Sequence, residues 1–243
     1  MAEAHCSLGL VKFWLELDWD SAKSYFQRAI HLDPGYSAAH CWFAILLVWQ
    51  GETEKAIAEV KHAQKLDPLS SITQAMVGFI LYVARRFDEA IEHGRQALEI
   101  EPDSITALYL GALPYKEKQM YAEAISLLEK AVDLSHRRPF FLGLLGHVLG
   151  ISGNKSEARK ILEELVKRST QEYVGPLMFV WLYLGLGDNE QAIEWFEKAF
   201  NEGQGPYHIF LGDSVYDGIR STTQFRKILK KIGIEFWAIQ PDK

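Results

Sequence analysis

The chain has 243 residues, with 26 Lys and Arg against 32 Asp and Glu, for a formal net charge of −6. Hydrophobic residues make up 48% and charged residues 24%, which excludes a disordered chain and supplies enough apolar material for a sizeable core. The acidic balance excludes a surface dominated by nucleic-acid binding, which needs a basic excess. Two cysteines are too few for a disulfide scaffold and suit a reducing compartment. The opening residues Met1-Ala2-Glu3-Ala4-His5 lack a basic region followed by an apolar run, so no secretory signal is expected. The longest apolar stretches, residues 38–49 and 140–151, are too short to cross a bilayer. A cytoplasmic protein without a membrane span is the expectation.

Along the chain one register repeats. Alanine stands at Ala22, Ala56, Ala90, Ala124, Ala158 and Ala192, each step being 34 residues. Seven residues after these come Ala29, Ala63, Ala97, Ala131, Leu165 and Ala199, and four after them Phe26, Val60, Gly94, Leu128, Leu162 and Phe196. Offsets of 0, 4 and 7 share one face of a helix, and alanine at two of them lets a neighbouring helix come close. Five residues earlier, Gly51, Gly153 and Gly187 supply the left-handed residue that ends a preceding helix. Pro34, Pro68 and Pro102 close the unit, each after an acidic residue.

Each unit is therefore predicted as helix, turn, helix, turn. Six units are expected over residues 1–203, at about 1–34, 35–68, 69–102, 103–136, 137–170 and 171–203. The first unit holds an extra residue between Gly9 and Ala22, around Asp18-Trp19-Asp20. Pro114 falls inside the first helix of the fourth unit and should kink or shorten it. The fifth and sixth units lack the closing proline and instead carry Pro139 and Pro176 near their starts, with a longer loop at residues 168–175. Residues 204–243 leave the period. They contain an apolar piece at 207–211 and an amphipathic helix with Phe225, Ile228, Leu229 and Ile232 on one face. A tail of this kind is expected to cap the last repeat.

The register resembles the tetratricopeptide repeat, whose large–small pair is matched by Leu8-Gly9, Phe43-Ala44, Val77-Gly78 and Leu145-Gly146. The resemblance implies an all-α fold, an alpha–alpha superhelix that binds proteins. The tail stretch from Asp213 through Tyr216, Asp217, Ile219 and Arg220, then Phe225 and Ile232-Gly233-Ile234, resembles a narrower group, as do the Asp-Trp-Asp of the first unit and Tyr173-Val174-Gly175-Pro176. Those arrays form the C-terminal halves of bacterial winged-helix regulators and of some bacterial serine/threonine kinases and adenylate cyclases. The resemblance implies a sensor or docking half, cut from a longer protein whose effector domain lies upstream.

In this family the first helices line a concave face. Positions 2, 5, 9, 12 and 13 of each unit should face it, among them Phe13, Trp14, Cys41, Ile45, Trp49, Phe79, Tyr82, Tyr109, Lys116, His147 and Trp181. This set is apolar and aromatic, unlike the lysine and asparagine clamp with which some relatives hold acidic C-termini. Anchoring of a partner's helix or extended segment by aromatic residues fits it. Three states of the face stay open: a usable groove with Trp49, Tyr82 and Trp181 exposed, a stripe buried by packing, and a groove filled by residues 204–243 or by a second copy. A homodimer through the exposed first repeat belongs to the last reading.

His5-Cys6 and His40-Cys41 occupy nearly equivalent places and raise a metal site, against which buried apolar cysteines are the commoner outcome. His136-Arg137-Arg138, with Lys167-Arg168 one unit on, is either a solvated turn or a hold for an acidic partner. No Gly-x-x-x-x-Gly-Lys-Ser/Thr, Gly-x-Ser-x-Gly, His-Glu-x-x-His or Cys-x-x-Cys motif occurs. The reading is a scaffold for a protein or peptide ligand, without cofactor, metal, nucleic-acid role or enzymatic activity.

Overall fold

The structure, a computed structural model, describes residues 1–202 and 214–231. The apolar piece at 207–211, Asp213 and Ile232-Gly233-Ile234 lie outside the described residues. The described residues are all-α and pair into helix–turn–helix repeats: α1 (Ala2–Val11) with α2 (Trp19–Leu32), α3 (Ser37–Trp49) with α4 (Thr53–Leu66), α5 (Ser71–Val83) with α6 (Phe87–Ile100), α7 (Ile105–Glu117) with α8 (Tyr121–Leu134), α9 (Pro139–Ile151) with α10 (Lys155–Arg168), and α11 (Pro176–Leu186) with α12 (Asn189–Asn201). A 3₁₀ turn (Ser214–Tyr216) and two short helices, α13 (Asp217–Arg220) and α14 (Thr223–Lys231), follow.

The six register alanines are at most 1% exposed, as close helix packing requires. The position five residues earlier is left-handed in every repeat: Leu17, Gly51, Arg85, Gln119, Gly153 and Gly187 have φ of 55, 75, 60, 58, 94 and 83°. Glycine relieves the Cβ clash at three of these turns, and at the other three the fold imposes the conformation on a bulkier residue. Side-chain oxygens cap the starts of α2, α5 and α12: Asp18, Ser70 and Asp188 accept from the backbone N–H of Ser21, Thr73 and Gln191.

Two expectations take a different form in the structure. The extra residue of the first repeat, thirteen positions separating Gly9 from Ala22 where twelve separate Ala44 from Ala56, is absorbed upstream of the Asp-Trp-Asp stretch. A π-helical turn, Lys12–Glu16, continues α1 and ends in the left-handed Leu17, widening one turn to hold the insertion. Pro114 does not shorten its helix, since α7 has 13 residues, as do α3, α5 and α9.

The chain divides into two compact units, Met1–Pro114 and Tyr115–Lys243. In the first, each helix pair packs on the next through contacts of α2 and α1 with α3, and of α4 and α3 with α5. In the second, α9 lies against α11 at very short range. A Cβ on Gly150 would sit 2.4 Å from the Gly185 backbone, one on Gly185 2.6 Å from the His147 carbonyl oxygen, and one on Gly143 3.1 Å from Met178 Cα. Glycine is required at Gly150 and Gly185 because backbone meets backbone there. The tail helices pack on α12, and the 3₁₀ turn packs on α11, with Tyr216, Ile219 and Phe225 fully buried.

Candidate functional site

In the first unit the expected groove residues form a largely covered aromatic seam. Phe13, Cys41, Ile45, Phe79 and Tyr82 are buried, whereas Trp14, Trp49 and Tyr109 are partly exposed. Trp49 meets Phe13 edge-on with ring centroids 6.1 Å apart and Trp19 at 6.2 Å, while Phe13 meets Trp14 at 4.4 Å. Trp19 was not among the expected groove residues. Its place in the Asp-Trp-Asp stretch was the available signal, and the π-helical turn brings that stretch round to Trp49. Tyr82 meets Phe79 and Phe87 in tilted ring contacts at 6.2 and 6.1 Å. Burial pushes the Tyr109 phenol above its ordinary range.

In the second unit Lys116, His147 and Trp181 are all buried. Lys116 pairs with Glu117 at 2.9 Å, and Glu117 Oε1 accepts from the Ser214 hydroxyl at 2.6 Å. His147 donates from Nδ1 to the Trp181 carbonyl at 3.1 Å, a bond made possible by the glycine contact between α9 and α11. The Trp181 indole N–H donates to the Tyr216 hydroxyl at 3.0 Å, and Phe140 meets the Trp181 ring edge-on at 5.6 Å. Trp181 is thus covered by the chain's own tail. Spacing alone places Trp181 on the right face of α11 but says nothing of Ser214 and Tyr216, which reach it only through the tertiary path of the tail.

Cys6 and Cys41 are free and buried, and burial pushes their thiols up to about 11 and about 12, so neither is a thiolate at neutral pH. Among the described residues no group of three or more His, Cys, Asp or Glu is gathered for a metal ion. Nor is any helix among them long and apolar enough to cross a membrane. Two arginines of the basic stretches have partners within the chain. Arg137 makes a two-pronged contact with Glu164 at 3.2 and 2.5 Å, and Arg168 donates to the Arg137 carbonyl at 2.7 Å.

The profile of the tetratricopeptide repeat matches residues 14–76, and a second profile of the same repeat matches residues 177–201. These two stretches of the chain are tetratricopeptide repeats. Stress-induced-phosphoprotein 1 of Caenorhabditis elegans is 26% identical over 110 residues, 44% of this chain and 34% of that protein. The chain spans about a third of the length of this curated relative. Among solved structures, PilW, a widely conserved type IV pilus biogenesis factor, aligns with a TM-score of 0.64 at 14% identity, over 94% of this chain and 98% of its own. The pilF protein of Pseudomonas aeruginosa gives 0.59 at 17%, over 95% and 97%. A thermophilic tetratricopeptide-repeat protein of Thermus thermophilus gives 0.57 at 16%, over 90% and 99%. At these identities the likeness is one of fold, and the fold is the helical array of tetratricopeptide repeats.

Proposed function

We propose that this tetratricopeptide-repeat chain is a protein–protein interaction scaffold whose second unit carries a resident occupant. The observation that carries this reading is the fully buried Tyr216, hydrogen-bonded to the Trp181 indole on the helix face expected to receive a partner. Ser214, anchored on Glu117, fixes the same turn from its other end. The occupant supplies what an incoming segment would need, an aromatic anchor with one hydroxyl acceptor. A partner bearing such a residue gains access when the tail leaves, so binding and release of the tail are linked. The first unit adds a partly exposed tryptophan seam, Trp14, Trp19 and Trp49, as an aromatic anchor site for a peptide or helix. The tail motif's resemblance to the arrays of bacterial signalling and transcription regulators supports the role of a sensor or docking half, in which tail release reports to an effector domain.

The test uses a fluorescently labelled peptide of residues 214–220 and the Tyr216→Ala variant. The variant, with helicity preserved by circular dichroism, binds the peptide, and the wild type, already occupied, binds it much more weakly. Equal binding by both proteins would overturn the resident-occupant reading.

A further inference from the structure

The seam between the fifth and sixth repeats is packed unlike the others. Four residues after the register alanine, Phe26, Val60, Leu128 and Phe196 are at most 2% exposed, whereas Leu162 is partly exposed. On the first helices, Leu47, Leu81, Tyr115 and Leu149 are buried, whereas Tyr183, 34 residues after Leu149, is partly exposed. The glycine contact explains the difference. It holds the C-terminal end of α11 against α9 through Gly185. Tyr183 stands two residues before Gly185, about 200° of helical turn away, so it points away from α9. The close approach on one side of α11 is matched by an opening toward α10 on the other.

That opening is a cleft of about 730 Å³, within the roughly 300–1,000 Å³ usual for a ligand site. Leu162, Tyr183 and Leu186 give it apolar walls, and Glu163, Asp188 and Glu190 bring three carboxylates against the single guanidinium of Arg159. Acids elsewhere on the helix surfaces are paired, as Glu52 is with Lys23 and Lys55, Glu89 with Arg86 and Glu164 with Arg137. Glu163 and Glu190 have no ion-pair or hydrogen-bond partner among the described residues. Asp188 is fixed in place by accepting from the Gln191 backbone N–H at 3.1 Å.

We infer that this cleft receives a short apolar segment of a protein partner that carries one lysine or arginine. The long alkyl stem of such a residue lies along Leu162, Leu186 and Tyr183, and its cationic head meets the carboxylates. Tyr183 adds an aromatic ring, which attracts a cation. A wholly apolar segment would strip water from the carboxylates without replacing it. An acidic segment would meet like charge. Trp181, two residues before Tyr183, is on the other side of α11, so the cleft is distinct from the place where Tyr216 is seated.

Fluorescence anisotropy on the full chain tests this with two labelled heptapeptides. One has a central arginine flanked by leucines, and the other has glutamine in place of the arginine. The arginine peptide should bind at least about tenfold more tightly, and the gap should narrow as salt rises from about 50 to about 500 mM. Glu163→Gln and Glu190→Gln alter exposed side chains, so each should keep its helicity and weaken the arginine peptide at least about threefold. Leu162→Trp fills the cleft without changing its charge and should weaken that peptide about tenfold. Glu129→Gln changes an exposed carboxylate 34 residues before Glu163 and outside the cleft, and should leave binding unchanged. Four outcomes would overturn the proposal: no binding of the arginine peptide, equal binding of the two peptides, a loss with Glu129→Gln equal to that with Glu163→Gln, or a Leu162→Trp protein that binds as the wild type does.

Discussion

The Trp181 indole Nε1–H donates to the Tyr216 hydroxyl at 3.0 Å, and both side chains are buried. One atom of the tail thus satisfies the polar group of the aromatic residue it covers. Tyr216→Phe keeps the ring, which stacks against Phe225 at 5.9 Å and meets Phe196 at 6.1 Å, and removes only the hydroxyl. The indole N–H is then left buried without that acceptor. We expect a loss of roughly 1–3 kcal/mol, read from urea denaturation followed by tryptophan fluorescence. An unchanged midpoint would show that the contact does not hold the tail in place.

Gly150 and Gly185 meet backbone to backbone. A Cβ on Gly150 would stand 2.4 Å from the Gly185 carbonyl group, and no rotamer change can relieve a clash with a main chain. Gly150→Ala must push α9 away from α11, lengthening the bond from His147 to the Trp181 carbonyl. We expect a destabilisation of about 3 kcal/mol, the upper end of ordinary overpacking. Thermal unfolding of Gly150→Ala beside the wild type checks it, and a shift within error would mean that the two helices slide apart at no cost.

What the residues disclosed in advance follows from what periodicity encodes. Spacing fixes which face a side chain is on, so the alanines Ala22 to Ala192 and the glycine turns were legible, and each of those alanines is buried. Spacing does not state what covers a face. The positions of Tyr82 and Trp181 on the first helices could be read, while their burial depends on aromatic neighbours and, for Trp181, on a residue 35 positions away. The insertion in the first repeat was visible as a count. Its form, a π-helical turn at Lys12–Glu16, was not, because a helix can widen wherever packing on either side allows. Left-handed backbone at Leu17, Arg85 and Gln119 was equally hidden, since nothing in these residue types asks for it.

That last group yields a stabilising substitution. Gln119 has φ of 58°, is exposed, and stands where Gly51, Gly153 and Gly187 stand in other repeats. Its backbone N–H closes the turn on the Lys116 carbonyl at 3.0 Å, a bond that glycine keeps. Gln119→Gly relieves the left-handed strain of roughly 1–2 kcal/mol and gives back about half of it through the more flexible unfolded chain. The net expectation is a gain of about 0.5–1 kcal/mol, measured as a higher denaturation midpoint. Gln119→Val, a β-branched residue in the same conformation, should move the midpoint the other way.

His40 gives the second repeat a pH-dependent contribution to stability. Its Nδ1 faces Glu59 Oε2 at 2.7 Å and its Nε2 faces the Pro34 carbonyl at 3.1 Å. Both partners are acceptors, so both bonds form only when the ring carries two protons. His62 also lies against it, ring to ring at 4.7 Å. The hydrogen bond to Glu59 raises the His40 pKa, burial opposes this, and the Pro34 carbonyl adds to the rise. The folded pKa is therefore above the unfolded value near 6.5. Stability from this group is complete below that unfolded value and is lost as pH rises through the folded pKa, at no more than about 1.4 kcal/mol per pH unit. An internal control exists one repeat later, where Gln74 donates to the Pro68 carbonyl at 2.9 Å without titrating. His40→Gln should keep the carbonyl bond and abolish the decline. Urea midpoints of both proteins from about pH 6 to about pH 9 decide it: the wild type should fall relative to His40→Gln, and parallel curves would assign the pH dependence to other groups.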